Sequence, residues 1–520
     1  MTEINPEAAR RVIGMETEFG IYAPGDPYAN VIAMSTEVVQ TYAAYYRPDS
    51  APVGWDYRGE DPLNDLRGHR LDRAFADPSQ LTDDPYHLAP PAGWEELAKG
   101  TEDALKRYAP TTIVLPNGGR FYVDHAHPEY SSPEVSNALD AVIWDRAGEV
   151  LARRVMSKRD ASGEREYVLV KNNVDGKGAA YGTHENYQVD RLADLDVIVR
   201  FMIPFLASRP VICGAGRVGI GQKSEVDGFQ ISQRADYVEN DIGLETTFNR
   251  PIFNMRDEPH AQHHRWRRIH VINGDANQFD VSILLKIGTT ALVLRALEEG
   301  VEAEKWASLD LVDPVGAVHQ MSLSLDIKPV VSAKNGQQVS ALDLQERYLE
   351  LVEAHFERNQ TPLTETEILV LQTWRSVIDR MRQDVFSVAA EVEWVGKYQL
   401  LSRQKQRLGT TWLDPRLVAI DLKWGDLRAE KNLVRALEQK GMVRRLTTDQ
   451  QLEAAADQAP ADTRAKIRGK AVATRDDLVK ASWSSLVFED RKGQRYVRVP
   501  LPEPTQDNPE GLAGFAVEMA

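Results

Sequence analysis

Four short runs place metal- or phosphate-competent side chains at positions i and i+2. Val12-Ile13-Gly14-Met15-Glu16-Thr17-Glu18-Phe19 sets Glu16 beside Glu18, and Arg120-Phe121-Tyr122-Val123-Asp124 sets Arg120, Tyr122 and Asp124 together. Thr183-His184-Glu185-Asn186-Tyr187 pairs His184 with Asn186, and Arg268-Ile269-His270-Val271-Ile272 pairs Arg268 with His270. In a strand these positions share a face. A single run of this kind is ordinarily the solvated face of an antiparallel sheet. Four runs using His, Asn, Tyr, Asp and Arg beside carboxylates predict one concave site instead. Glu16, Glu18, Asp124 and Glu129 would crowd there, and like charges about 4 Å apart repel by about 4 kcal/mol at an effective dielectric of about 20. Divalent cations relieve such repulsion, and carboxylate oxygens suit Mg²⁺, which keeps waters and bridges to nucleotide phosphates. Arg120 and Arg268 would then meet phosphate oxygens, with Asn186 orienting them.

The elements that must position these runs come in a simple order. From about Thr111 to Val293 short β-like runs alternate with turns, and from Leu292 to about Gln406 the pattern is mostly helical, with acid-rich turns such as Thr364 to Glu367. Residues from about Arg47 to Pro91 are rich in Pro, Asp, Gly and Arg and hold no sustained period, which marks a functional lid or a disordered segment. Trp94 to Ala109 reads as a helix, with Leu97, Ala98, Leu105 and Tyr108 on one face. A small separate α/β module is expected from about Asp426, with a Pro-bounded linker at Ala455 to Asp462 and a polar tail after Pro500.

At 520 residues the chain has room for two to four domains and a large core. Its charge, 62 − 78 = −16, argues against nucleic acid as the main ligand, because phosphate neutralisation needs clustered Lys and Arg. An acidic partner is still admissible if cations gather in one groove. The lone Cys213 excludes an internal disulfide and fits a reducing compartment. The opening MTEINPEAARR has no apolar h-region, and the most apolar stretch, Val197 to Ala207, is far shorter than the ~20 residues of a membrane span. A cytoplasmic protein with no nucleic-acid or membrane partner is expected.

Several motifs are decoys. Gly214-Ala215-Gly216-Arg217-Val218-Gly219 matches GxGxxG, but the run from Gly221 to Gly228 opens no helix, so a dinucleotide site is not expected. His125 and His127 resemble a zinc pair, yet strand alternation would turn both away from Asp124, and Pro128 is next in the chain; a structural role, or one supporting the residues of the site from behind, fits better. His260, His263 and His264 read as a solvated turn. Ser131 and Ser132 lack a GxSxG frame.

A set of ordered motifs is similar to the Pup ligase/depupylase family, relatives of the carboxylate–amine ligases and glutamine synthetase. They are Gly14-Met15-Glu16-Thr17-Glu18-Phe19-Gly20, Asn117 to Asp124, His127-Pro128-Glu129-Tyr130, Lys171-Asn172-Asn173, His184 to Tyr187, Ser232-Gln233-Arg234, Arg256 to His260, Arg268-Ile269-His270 and Gly274 to Asn277. The long segment before Trp94 and the run Asp-His-Ala-His-Pro-Glu-Tyr-Ser-Ser resemble the depupylase branch rather than the ligases.

The resemblance implies an α+β fold. Residues 1–425 would form a glutamine synthetase-like domain, with a curved antiparallel sheet cradling the site, packed helices and a loop at 47–91. Residues 426–520 would form a small C-terminal α/β domain. It implies ATP and Mg²⁺ as cofactors, with metal ligation by Glu16, Glu18, Tyr122, Glu129, His184 and His270. Nucleotide contacts would come from Arg120, Ser132, Pro133, Asn186, Arg268 and Trp483, and Arg234 and Arg256 would lie near the Pup C-terminus. Asp124 matches the catalytic aspartate. The implied activity is hydrolysis of the isopeptide bond between Pup and a substrate lysine, and deamidation of a C-terminal Gln of Pup. The partners would be Pup and pupylated proteins, with the proteasomal ATPase as a further candidate. The alternative is the Pup–protein ligase reaction through a γ-glutamyl phosphate. Asp124 could attack the carbonyl, act as base for water, or position an ATP-derived phosphate, and the residues do not choose among these.

Overall fold

The computed structural model describes residues 11–46, 52–72, 76, 111–176, 178–490 and 495–507. The helix expected at 94–109, most of the later part of the 47–91 segment and the end of the tail lie outside the described residues. The strands that concern the site are β1 (Ile13–Glu18), β2 (Gly54–Trp55), β3 (Thr112–Val114), β4 (Arg120–Asp124), β5 (His127–Ser131), β6 (Thr183–Asp190), β7 (Val238–Gly243), β8 (Arg250–Asn254), β9 (Trp266–Val271), β10 (Leu478–Ser482), β11 (Ser485–Asp490) and β12 (Arg495–Pro500).

Eight of them form one sheet in the order β7-β8-β9-β6-β1-β5-β4-β3. All four polar runs of the sequence therefore lie in this sheet, with β1 near its middle. Its pairings are antiparallel except β7 with β8, which run parallel because residues 244–249 carry the chain back before β8 begins. The expected antiparallel sheet is thus mixed at one edge.

Register places the polar residues next to one another. Glu16 lies opposite His184 on one side and Ser131 on the other, and Glu18 lies opposite Glu129. Tyr122 faces Glu129, and His270 faces Asn186. Because strand residues alternate, Ile13 and Met15 of β1 point the other way and join the core. Thr17, also on that side, donates to Asp145 at 3.3 Å, and Asp145 in turn receives Lys171 at 2.7 Å. That buried set fastens the underside of the strand carrying Glu16 and Glu18.

Helices cover the apolar side. Helix α1 (Ala138–Ala161) starts at Asn137, whose side chain accepts from the Asp140 amide, and it ends on Lys158 and Arg159, favourable for the helix dipole. Helix α2 (Leu195–Ser208) contains the most apolar stretch of the chain. Helix α3 (Asp280–Glu298) is buried nearly all round, as suits the centre of a large core. Helices α4 (Ala341–Asn359) and α5 (Glu365–Gln383) open with capping boxes, Ser340/Asp343 and Thr364/Glu367, so the acid-rich turn at 364–367 is a helix start. No helix among the described residues is long and apolar enough to cross a membrane.

The C-terminal sheet runs β12-β11-β10-β2, so its edge strand comes from the 47–91 segment. Val53 and Trp55 share its core with Ile467, Val472, Leu478 and Leu486. Helix α6 (Ala465–Thr474) lies so close to the Asn117-Gly118-Gly119 turn that a Cβ on Gly118 (φ +82°) would stand 2.6 Å from the Ala465 carbonyl oxygen. Glycine is needed there for both reasons.

Candidate active site

The polar face of the sheet floors a cavity of about 150 Å³, lined among others by Glu16, Tyr57, Arg120, Tyr122, Asp124, Glu129, His184, Arg256, His260, Arg268, His270 and Trp483. A smaller, mostly apolar recess adjoins it, lined by Val12, Ile13, Met15, Ser132, Pro259 and Pro504, with Glu16, Ser131, His260, Arg268 and Trp483 common to both. A polar chamber joined to an apolar slot suits a ligand with a charged end and a flat apolar end.

Two ligand sets converge on this floor. Glu16, His184 and His270 each offer one atom, all within 4.8 Å of one another, and Glu18, Asp124 and Glu129 do the same. His184 Nδ1 lies 3.1 Å from Glu16 Oε2, Asn186 donates to Glu16 Oε1 at 2.9 Å, and Arg268 donates to Asn186 at 2.7 Å. The Tyr122 hydroxyl donates to Glu129.

Electrostatics separates the two sets. Burial alone would raise the Glu16 pKa, but the His184 hydrogen bond and the charges of His270, His184 and Arg268 hold it far below the usual carboxylate range. Burial and then Asp124 raise Glu18, while burial, Asp124, Glu16 and Glu18 push Glu129 well up. Burial, followed by the Arg268 charge, holds His270 well below an ordinary imidazole. The carboxylate set thus carries an unrelieved charge that a proton or a cation must neutralise. A second observation fits a cation: a Cβ at Gly182 would stand 2.2 Å from His184 Nε2 and 2.9 Å from Glu18 Oε1, so this corner must stay empty of side chain. The oxygen donors of Glu18, Asp124 and Glu129 suit Mg²⁺, and Glu16 with His184 and His270 adds one carboxylate and two imidazole nitrogens beside them.

Arg120 is boxed by rings. Its guanidinium carbon lies 3.8 Å from the Tyr122 ring centroid, 4.3 Å from Trp55 and 5.5 Å from Tyr57, and it donates to the Tyr57 hydroxyl at 3.2 Å. Trp483 packs edge-on against Trp55 at 5.1 Å. The C-terminal elements are latched to the floor by Glu134, which receives Arg464 at 2.7 Å and also pairs with Arg468. Arg468 further donates to the Gly118 and Trp483 carbonyls.

A scan against protein-family models matches residues 11–487 to Pup-ligase protein. The chain belongs to the Pup-ligase family. Over 502 residues it is 42% identical to a Pup deamidase/depupylase of Mycolicibacterium smegmatis, an alignment covering 95% of this chain and 94% of that one. Among solved structures, the complex between Pup and its ligase PafA superposes with a TM-score of 0.76 at 29% identity, covering 97% of this chain and 92% of that one. The Pup ligase PafA in complex with ADP superposes with a TM-score of 0.71 at 32% identity, covering 84% and 95%. The α+β, glutamine synthetase-like architecture expected from the sequence is thus the one observed.

Within this Pup-ligase family member, the structure places most of the sequence-derived residues on one face. Glu16, Arg120, Tyr122, Asp124, Glu129, Asn186, Arg268, His184, His270, Arg256 and Trp483 line the joined cavities, and Glu18 completes the carboxylate set. Ser132 lines the apolar recess, where its hydroxyl accepts from the Met15 amide at 2.9 Å. Pro133 is buried but lines neither cavity. Arg234 is 2% exposed and donates to the carbonyls of Tyr181 at 2.9 Å and Ile272 at 3.1 Å, and burial together with the Arg250 charge brings its pKa down to about 10. Its Nε, also buried, has no hydrogen-bond partner.

Two expectations change. His263 and His264 are exposed as anticipated, but His260 turns inward at φ +47° and lines the cavity. Burial, with Arg268 and Arg464 nearby, holds it well below the usual imidazole range. Asp124 pairs with His127 across the β4–β5 hairpin, so His125 occupies a turn instead of continuing a strand. It therefore faces the cavity, while His127 packs against Tyr181 with the rings tilted by 33° and 4.5 Å between centroids. The residues missed by sequence reasoning are Trp55, Tyr57 and Gly182. Trp55-Asp56-Tyr57 was visible as an aromatic pair in an otherwise aperiodic segment, but nothing local ties that pair to Arg120.

Proposed function

We propose that the chain is a depupylase and Pup deamidase: with bound nucleotide and Mg²⁺ it hydrolyses the isopeptide bond between the C-terminal Glu side chain of Pup and a substrate lysine, and deamidates Pup ending in Gln. The carrying observation is the 42% identity to a Pup deamidase/depupylase over 95% of this chain, against 35–37% over 72–76% of it for Pup–protein ligases. ATP as the nucleotide, Pup and pupylated proteins as partners, the proteasomal ATPase as a further partner and a cytoplasmic setting belong to the same proposal. So does the division of the chain near residue 425.

The arrangement supports the chemistry step by step. Amide hydrolysis needs a carboxylate or activated water at the carbonyl carbon, stabilisation of the oxyanion and a proton for the departing amine. Asp124 lines the polar chamber with its side chain 19% exposed, so its carboxylate is within reach of a substrate entering there. Mg²⁺ held by Glu16, His184 and His270, and by Glu18 and Glu129 with Tyr122 alongside, would supply positive charge beside the oxyanion. Arg120 and Arg268 would meet the phosphates of the nucleotide, and the apolar recess bounded by Val12, Pro259 and Trp483 would receive its base. Arg256, which lines the chamber and reaches Glu258 only at 3.9 Å, would meet the Pup terminus, and buried Arg234, which lines neither cavity, would contribute its charge to that end.

The test is a pair of reactions with Mg-ATP. Given a defined Pup conjugate, the protein is expected to release free Pup and the intact target. Given Pup ending in Glu and the same target, it is expected to form no conjugate. Conjugation in the second tube without release in the first would assign the ligase reaction instead.

A further inference from the structure

We propose that His125 is a positioning residue for Asp124, fixing the carboxylate in its reactive orientation by one hydrogen bond from Nδ1. The inference rests on the reading of Asp124 as the reacting carboxylate, and it begins with the hairpin. Asp124 ends β4 and pairs with His127 of β5, so His125 and Ala126 alone make the turn. His125 takes φ +51°, in the left-handed region that glycine and asparagine enter most easily. That backbone brings its ring back over the preceding residue, and Nδ1 lies 3.0 Å from Asp124 Oδ2. An ionised carboxylate only accepts hydrogen bonds, so Nδ1 carries the proton and donates it into the bond.

The contact is poorly explained as a device for stability. The His125 side chain is 43% exposed, and pairs at such exposure contribute little to folding. Its consequence falls on Asp124, whose neighbours are the carboxylates of Glu18 and Glu129, close enough that each offers an oxygen within 4.8 Å of the others. The Nδ1 hydrogen bond holds one Asp124 oxygen and opposes rotation of that carboxylate among them.

Asparagine separates positioning from every other role of the imidazole. Its Nδ2 takes nearly the same place as Nδ1, it tolerates a positive φ, and it cannot shuttle a proton. Glutamine carries the same amide one methylene farther out, and alanine removes it. The experiment compares kcat and KM for cleavage of a defined Pup conjugate with saturating Mg-ATP in the wild type, His125→Asn, His125→Gln and His125→Ala. Melting temperature and ADP binding serve as controls for folding. Alanine and glutamine are expected to lower kcat about 100-fold with KM little changed, as for a misplaced reacting group, while asparagine recovers all but about tenfold of the rate. Wild-type kcat in His125→Ala would overturn the proposal. So would His125→Asn as slow as alanine with melting temperature and ADP binding intact, since the donor alone would then be insufficient. Failure of the depupylase reading is a separate result: the wild type would form conjugates instead of cleaving them, and the same variants would be compared on that rate.

Discussion

The floor and the rim of this cavity are built in different ways. The floor is one sheet face, where Glu16, Glu18, Tyr122, Asp124, His184 and His270 project from neighbouring strands in fixed register. The rim is assembled from segments far apart in the chain: Trp55 and Tyr57, His260, and Trp483 with the Glu134–Arg464–Arg468 latch. The floor concentrates charge, and the rim contributes rings and a single buried acid held between two arginines. Chemistry is thus assigned to a rigid surface, whereas enclosure and nucleotide fit depend on tertiary docking.

If that division is right, floor variants should lose turnover while folding normally, and rim variants should lose stability or binding. Glu129→Gln keeps shape but removes one charge from the carboxylate set. Cleavage should fall by about 10³-fold, with unfolding by urea little changed. A variant that retained cleavage would remove Glu129 from the floor's function.

The next effect belongs to the latch. Glu134→Ala leaves Arg464 and Arg468 buried with no carboxylate between them, and we expect a loss of about 3 kcal/mol in urea unfolding. The same acid predicts a pH dependence. Burial would raise its pKa, but Arg468 and Arg464 bring it from 4.5 down to about 2. A carboxylate depressed in the folded state stabilises above its unfolded pKa, and that contribution is lost as pH falls from about 4.5 through about 2. Glu134→Gln should flatten the stability profile in that window, and an unchanged profile would show that the latch is not ionic.

Smaller effects are expected from the rings. Trp55→Ala removes one face of the Arg120 box and the edge contact to Trp483, which should weaken ADP binding about tenfold by calorimetry. Tyr57→Phe deletes one hydrogen bond to Arg120 and should cost a few-fold at most, about 1 kcal/mol or less. Equal losses in these two variants would mean that the hydroxyl, and not the stacking, holds Arg120.

The same division decides what could be read from the chain. A period of two fixes which side chains share a face, so Glu16 with Glu18 and Arg120 with Asp124 were legible from the residues alone. The capping signal at Thr364–Glu367 is likewise local. His260 was misread because its neighbours His263, His264 and Arg265 look like a solvated turn, and only the positive φ at His260 turns that side chain inward. His125 was misplaced because two residues sufficed to reverse the chain where a strand was expected to continue. Trp55 and Tyr57 could not be joined to Arg120 because β2 pairs with β10, more than 400 residues later in the chain. The parallel edge pairing of β7 and β8 was hidden for a similar reason: the return through residues 244–249 has no local signature.

Single-turnover cleavage of a defined Pup conjugate by Asp124→Asn, with Mg-ATP and the conjugate both bound, addresses the central assignment most directly. Abolished cleavage, with nucleotide and conjugate affinities close to wild type, is the expected result. A rate comparable to wild type would contradict it, and the reacting group would have to be sought elsewhere on the floor.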